Sequence, residues 1–183
     1  MELFDAIQKR HSYRGGFLAQ AVPRRDLRRM VQAGLQAPSG YNGQSTSFVV
    51  VDEPSLLAAV ADIVPGDVVR HAPALIVCIA DPLATRDRTF SFFIEDYAAA
   101  VENVLLAATA LGYATVWIDG SLRSERRAER LGSLLGVPEG LEVRVILPVG
   151  VPAEERAQRE KKPFAERAWF NGYRKDERDE PKS

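Results

Sequence analysis

Between Ala98 and Leu111 the chain offers almost no polar face: Ala98, Ala99, Ala100, Val101, Val104, Leu105, Leu106, Ala107, Ala108 and Leu111 together cover every side of a helix. A helix that is apolar all round must be buried all round. The stretch is interrupted by Glu102 and Asn103 and is too short to span a bilayer, so its cover must be protein. A chain of 183 residues can bury a real core but can hardly wrap one helix on every flank. The many alanines would let another helix approach closely. This pattern predicts a homodimer packed through the helix, with an interface in the obligate class of about 2,000 to 5,000 Å².

The remaining elements alternate around it. Leu3, Phe4 and Ile7 share a face of a short N-terminal helix, and Leu27, Met30, Val31 and Leu35 recur at helical spacing after Pro23. Strands are expected at Ser47 to Val51, Ala74 to Ala80, Ala114 to Ile118 and Glu142 to Val149, the second fully buried. Helices are expected at Ser55 to Ala61, from about Phe93 to Leu111, and at Ser124 to Leu135, with a polar connection from Asp81 to Thr89. Strands separated by helices give a layered α/β or α+β fold. The length fits one domain, residues 1–174, followed by a charged stretch, 175–183, that reads as a disordered tail.

Composition excludes several function classes. A net charge of -1 leaves no global basic field, so neither nucleic acid nor an anionic membrane is the expected partner. The arginine clusters Arg24, Arg25, Arg28, Arg29 and Arg123, Arg126, Arg127, Arg130 read as solvated helix faces, without the interleaved aromatics of a stacking surface. His11, His71 and the single Cys78 offer no metal-ligand spacing and no intrachain disulfide. His71 reads as a surface residue and Cys78 as a structural thiol. The start MELFDAIQKR is an amphipathic helix carrying acids rather than a signal peptide, which makes a soluble cytoplasmic protein the expectation. No dinucleotide-binding, P-loop or nucleophile-elbow motif occurs.

Two segments carry the chemistry. In Arg10-His11-Ser12-Tyr13-Arg14 a hydroxyl lies between two guanidinium forks, whose geometry matches phosphate oxygens. These residues stand at the end of the first helix, where the helix dipole repels anions, so side chains must supply the attraction. Pro38-Ser39-Gly40-Tyr41-Asn42-Gly43-Gln44 follows as a hydrogen-bonding loop, although its residue types are also those of an ordinary turn. Together the segments suit a planar ligand bearing a phosphate. Asp96 and Glu102 stand six residues apart on the central helix and do not face each other, so packing or capping roles suit them better than a carboxylate pair.

The order and spacing of these segments resemble the nitroreductase family of flavin mononucleotide (FMN) enzymes. Asp96 to Gly112 resembles that family's long central helix, Trp117-Ile118-Asp119-Gly120 its acidic-glycine turn facing the flavin ring, and Arg159-Glu160-Lys161-Lys162-Pro163 its basic phosphate-contacting segment. The resemblance implies a three-layer α/β/α fold of the α+β class, with a mostly antiparallel mixed sheet and a central dimerisation helix. It implies FMN held by Arg10, His11, Ser12, Arg14, Arg159 and Lys161, whose last two members can point the same way in an extended segment. Pro38, Ser39, Asn42 and Gln44 would approach the flavin of the partner subunit, and Ile118, Asp119 and Gly120 would lie by the ring, the N-H groups of the last two near N5. No side chain is assigned an acid or base role, Asp119 included.

The implied activity is hydride transfer from NAD(P)H through the flavin to a small-molecule acceptor such as a nitroaromatic or quinone, with ping-pong kinetics. A flavin-binding or sensor protein without turnover is the alternative, as is another flavin chemistry on the same fold, such as dehalogenation or dehydrogenation. The sequence departs from the family where Ser45 and Thr46 replace its usual proline and tryptophan.

Overall fold

A computed structural model describes residues 1–84 and 90–173. The expected tail at 175–183 and the last part of the Asp81 to Thr89 connection lie outside the described residues. The elements in chain order are α1 (Leu3–Lys9), α2 (Arg24–Leu35), β1 (Thr46–Val51), α3 (Pro54–Ile63), α4 (Asp67–Arg70), β2 (Ala74–Ala80), α5 (Phe93–Ala110), β3 (Ala114–Thr115), α6 (Arg127–Leu135), β4 (Glu142–Gly150) and α7 (Phe164–Arg167). The strands form one sheet in the order β1-β2-β4-β3, every neighbouring pair antiparallel.

The sheet is covered on both faces, which gives three layers. On one face Ile76, Cys78, Val145, Leu147 and Val149 pack with Leu27 and Met30 of α2 and with Val101, Val104 and Ala108 of α5. On the other, Leu75, Val77, Ile79, Val143 and Ile146 pack with Val60 of α3, Val69 of α4 and Leu131 of α6. β2 is buried along its whole length, so its sequence is a continuous apolar run with no alternation. Gly34 lets α2 and α5 approach closely, since a Cβ there would stand 2.7 Å from Val104 Cγ2.

Four local departures have physical causes. The register slips between Cys78 and Ile79, which face Val145 and Val143, so Arg144 is the extra residue of a β-bulge. Val143 and Ile146 thereby enter the same core, while Arg144 turns to the other face, its guanidinium carbon 5.6 Å from the Phe93 ring centre and 5.5 Å from that of Tyr97. β3 spans only 2 residues, and Ile118 rejoins the sheet through an isolated bridge to Ile146. α6 starts at Arg127 rather than Ser124 because Glu125 and Arg126 are left-handed, with φ of 54° and 52°. α4 and α7 are each 4 residues, too short for a periodic signal.

The central helix is not covered on every side within one chain. Tyr97, Ala100, Val101, Val104, Leu105 and Ala108 are buried, but Ala98, Ala99, Leu106 and Ala107 are only half-buried and Ile94 is exposed. α1 contributes a second apolar surface: Ala6 is buried, while Leu3 and Phe4 remain 61% and 77% exposed. Among the described residues no helix is long and apolar enough to cross a membrane.

Candidate functional site

α1 ends with Arg10 as its C-cap, whose N-H donates to the Ala6 carbonyl at 2.9 Å. The chain then runs beside β3, where the Tyr13 N-H donates to the Thr115 carbonyl at 3.0 Å and the Tyr13 side chain is buried. Ser12 and Arg14, on either side of it, are exposed. After β4 the chain returns to this place. The Leu18 N-H donates to the Val151 carbonyl at 2.9 Å, the Ala153 N-H to that of Gly16 at 2.9 Å, and the Gln158 amide to that of Gln8 at 3.2 Å. This pairing brings residues remote in sequence together, and Arg10, His11, Ser12, Arg14, Arg156, Arg159 and Lys161 line one cleft of about 590 Å³.

Every formally charged residue of that lining is basic. Arg10 Nε lies 3.0 Å from Glu102 Oε1 on α5, an ion pair without hydrogen-bond geometry, so the buried Nε has no hydrogen-bond partner. His11 Nδ1 lies 2.9 Å from the Lys9 carbonyl, and its buried Nε2 also lacks a partner. Arg156 is taken by Glu154, 2.6 Å away. Arg14, Arg159 and Lys161 have no ion pair among the described residues. A cleft of cations with unpaired donors has the chemistry to attract an anion, and Arg forks beside a serine hydroxyl suit a phosphate.

The loop from Pro38 to Gln44 stands apart from that cleft, at the start of α5. Its Gly40–Asn42 part is a 3-10 turn, and Tyr41, Asn42 and Gln44 all have positive φ, 51°, 55° and 49°. Ser39 Oγ accepts from the Gln44 N-H at 3.0 Å. The Trp117 to Gly120 turn is a third location: Asp119 lines a cleft of about 210 Å³ with Arg123 and Arg144, and its carboxylate pairs with Arg123 at 2.6 Å. No backbone carbonyl among the described residues accepts from the N-H of Asp119 or Gly120.

The family model for the nitroreductase family matches residues 7–68 and 60–151, a span from the last turn of α1 through β4. The chain belongs to the nitroreductase family. A protein of Archaeoglobus fulgidus, provisionally named an NADH dehydrogenase/NAD(P)H nitroreductase, is 34% identical over 132 residues, 72% of this chain and 75% of that one. One of Methanothermobacter thermautotrophicus with the same provisional name is 31% identical over 162 residues, 87% of this chain and 82% of that one. A provisionally named nitroreductase of Desulfovibrio desulfuricans, solved in complex with FMN, matches with a TM-score of 0.79 and 29% identity, covering 94% of this chain and 98% of that one.

Within this nitroreductase-family fold, the expected site residues form three groups in one chain. The structure brings Arg10, His11, Ser12, Arg14, Arg159 and Lys161 together and leaves Pro38, Ser39, Asn42 and Gln44, and separately Ile118, Asp119 and Gly120, outside that cleft. Cys78 is excluded from thiolate chemistry, because burial pushes its thiol up to about 12. At Arg144 burial opposes the charge, but Tyr97 and the Glu142 carboxylate outweigh it and raise the pKa further. His71 is exposed, at the C-cap of α4. Sequence reasoning missed the partners of Asp96 and Glu102. Asp96 and Glu102, with Glu95, are the acidic residues of an otherwise largely apolar helix, and that was the available signal.

Proposed function

We propose that the chain is an FMN-dependent oxidoreductase that takes hydride from NAD(P)H and passes reducing equivalents to a nitroaromatic, quinone or similar small acceptor. The observation that carries this reading is the all-basic cleft, in which Arg14, Arg159 and Lys161 have no ion pair among the described residues and the buried His11 Nε2 has no hydrogen-bond partner. Those residues fit the phosphate of FMN, and the FMN-bound and NAD(P)H-named relatives support the choice of cofactor and donor. When bound, FMN would supply the hydride-accepting ring. The chain's own part is to anchor the phosphate, present the amides of Asn42 and Gln44 with Pro38 and Ser39, and offer the free N-H groups beside Ile118 at Asp119 and Gly120. Asp119 is tied to Arg123, so no proton-transfer role is assigned to it. Donor and acceptor sharing one space would give ping-pong kinetics.

The reading includes a homodimer with composite sites. One chain holds the clamp and the loop apart, and the half-buried strip on α5 and the bare face of α1 are the surfaces a second copy would cover. The functional test is the visible spectrum of the purified protein. A flavin absorption that bleaches with anaerobic NAD(P)H and returns on adding a nitroaromatic is expected, whereas one that never bleaches would mark a flavin-binding protein without turnover.

The composite site has its own test. Arg14→Ala and Asn42→Ala chains that each bind flavin poorly should regain binding when mixed under subunit exchange, because a heterodimer carries one intact site. Recovery no better than either parent would withdraw the loop from the partner's flavin.

A further inference from the structure

Asp96 is 4% exposed and has no ion-pair partner among the described residues. A buried carboxylate without a cation is costly unless fixed donors satisfy it. Its donors come from the two ends of one loop: the Gly40 N-H lies 2.8 Å from Oδ1, and Ser45 Oγ donates to Oδ2 at 2.7 Å. Ser45 is itself buried, and it stands where a proline would carry no donor. Gly40 is pressed against the Phe92 side chain, into which a Cβ would run, so the same end is held by packing as well. Between the two anchors lie Tyr41, Asn42 and Gln44, all left-handed, a conformation that non-glycine residues keep only where the surroundings enforce it.

We propose that Asp96 is a positioning residue, clasping Gly40 and Ser45 so that the intervening loop presents Asn42 and Gln44 in one preset conformation to the flavin. The proposal rests on the flavin reading above and adds to it the group that preorganises the loop. Asp96 touches no ligand itself. Its effect travels through the loop, so it concerns the ring and ribityl part shared by FMN and riboflavin and not the phosphate.

The test measures the affinity of the full-length protein for FMN and for riboflavin by flavin fluorescence, with the thermal midpoint of each flavin-free protein recorded alongside. Ser45→Ala is expected to weaken both ligands by the same factor, about threefold to tenfold, and to lower the flavin-free midpoint, because Asp96 loses a donor, while the protein stays folded at the assay temperature. Asp96→Ala should weaken both by about tenfold or more, and adding Ser45→Ala to it should cost little further, because the two act as a unit. Asp96→Asn retains an acceptor for Gly40 and should restore most of the affinity. Wild-type affinity for both flavins in Ser45→Ala would overturn the proposal, and so would a loss confined to FMN. Should Asp96→Ala fail to fold, Ser45→Ala decides the matter. A wild-type protein that binds neither flavin would instead overturn the functional reading, and the clasp's assigned role with it.

Discussion

Replacing Arg14 with alanine is expected to weaken FMN binding by about tenfold or more while leaving riboflavin within a few-fold of wild type. Arg14 is exposed on the rim of the basic cleft and spends its charge on no carboxylate among the described residues, so its donors are free for a phosphate. Hydrogen bonds to charged groups contribute about 1.5 to 3 kcal/mol each, which is roughly one to two decades of affinity. The difference between the two flavins isolates the phosphate, and titration by fluorescence quenching measures it. Equal losses for both ligands would remove Arg14 from the clamp.

Val104→Asp is expected to destabilise the fold by about 3 to 5 kcal/mol, a large share of the roughly 5 to 15 kcal/mol that a domain has. Val104 is 0% exposed, set among Leu27, Met30, Ile76 and Leu147 in the core between α5 and the sheet. A carboxylate there would be buried without a cation. The position also lies at the close approach of α2, whose Gly34 leaves no room for the chain to yield. Urea unfolding followed by circular dichroism reads the effect, and a midpoint close to wild type would show that the site can admit water. Val104 and Ala108 belong to this internal core, whereas the half-buried strip a second copy would meet is formed by Ala98, Ala99, Leu106 and Ala107.

The layered fold was legible because its elements differ in period. Ala74 to Ala80 reads as a buried strand and is one, and the apolar run before Leu111 reads as a helix and is α5, Phe93–Ala110. What the sequence concealed are features without a period. The bulge at Arg144 breaks the alternation of β4 by a single residue, and Val143-Arg144-Val145 reads as unbroken apolar-polar alternation. The candidate site was legible in part: the Arg10 to Arg14 spacing marks the proposed clamp, whose residues do line one cleft, but the approach of Arg159 and Lys161 depends on pairings between residues 16–18 and 151–153, which no local pattern encodes. The role of Asp96 was hidden for the same reason, since its partners Gly40 and Ser45 are more than fifty residues away.

Arg10 belongs to two surfaces at once. Its guanidinium lines the cleft, and its Nε faces Glu102 on the central helix, at the edge of the strip that a single chain leaves uncovered. An anion entering the cleft competes with Glu102 for that cation and alters the charge balance on the helix flank. In the proposed FMN-binding homodimer, ligand occupancy and subunit association would then be thermodynamically linked, and reciprocally: whatever factor FMN contributed to pairing, pairing would return to the retention of FMN. Dilution would thus release cofactor and separate chains together, and excess cofactor would hold the chains as pairs at concentrations where they otherwise part.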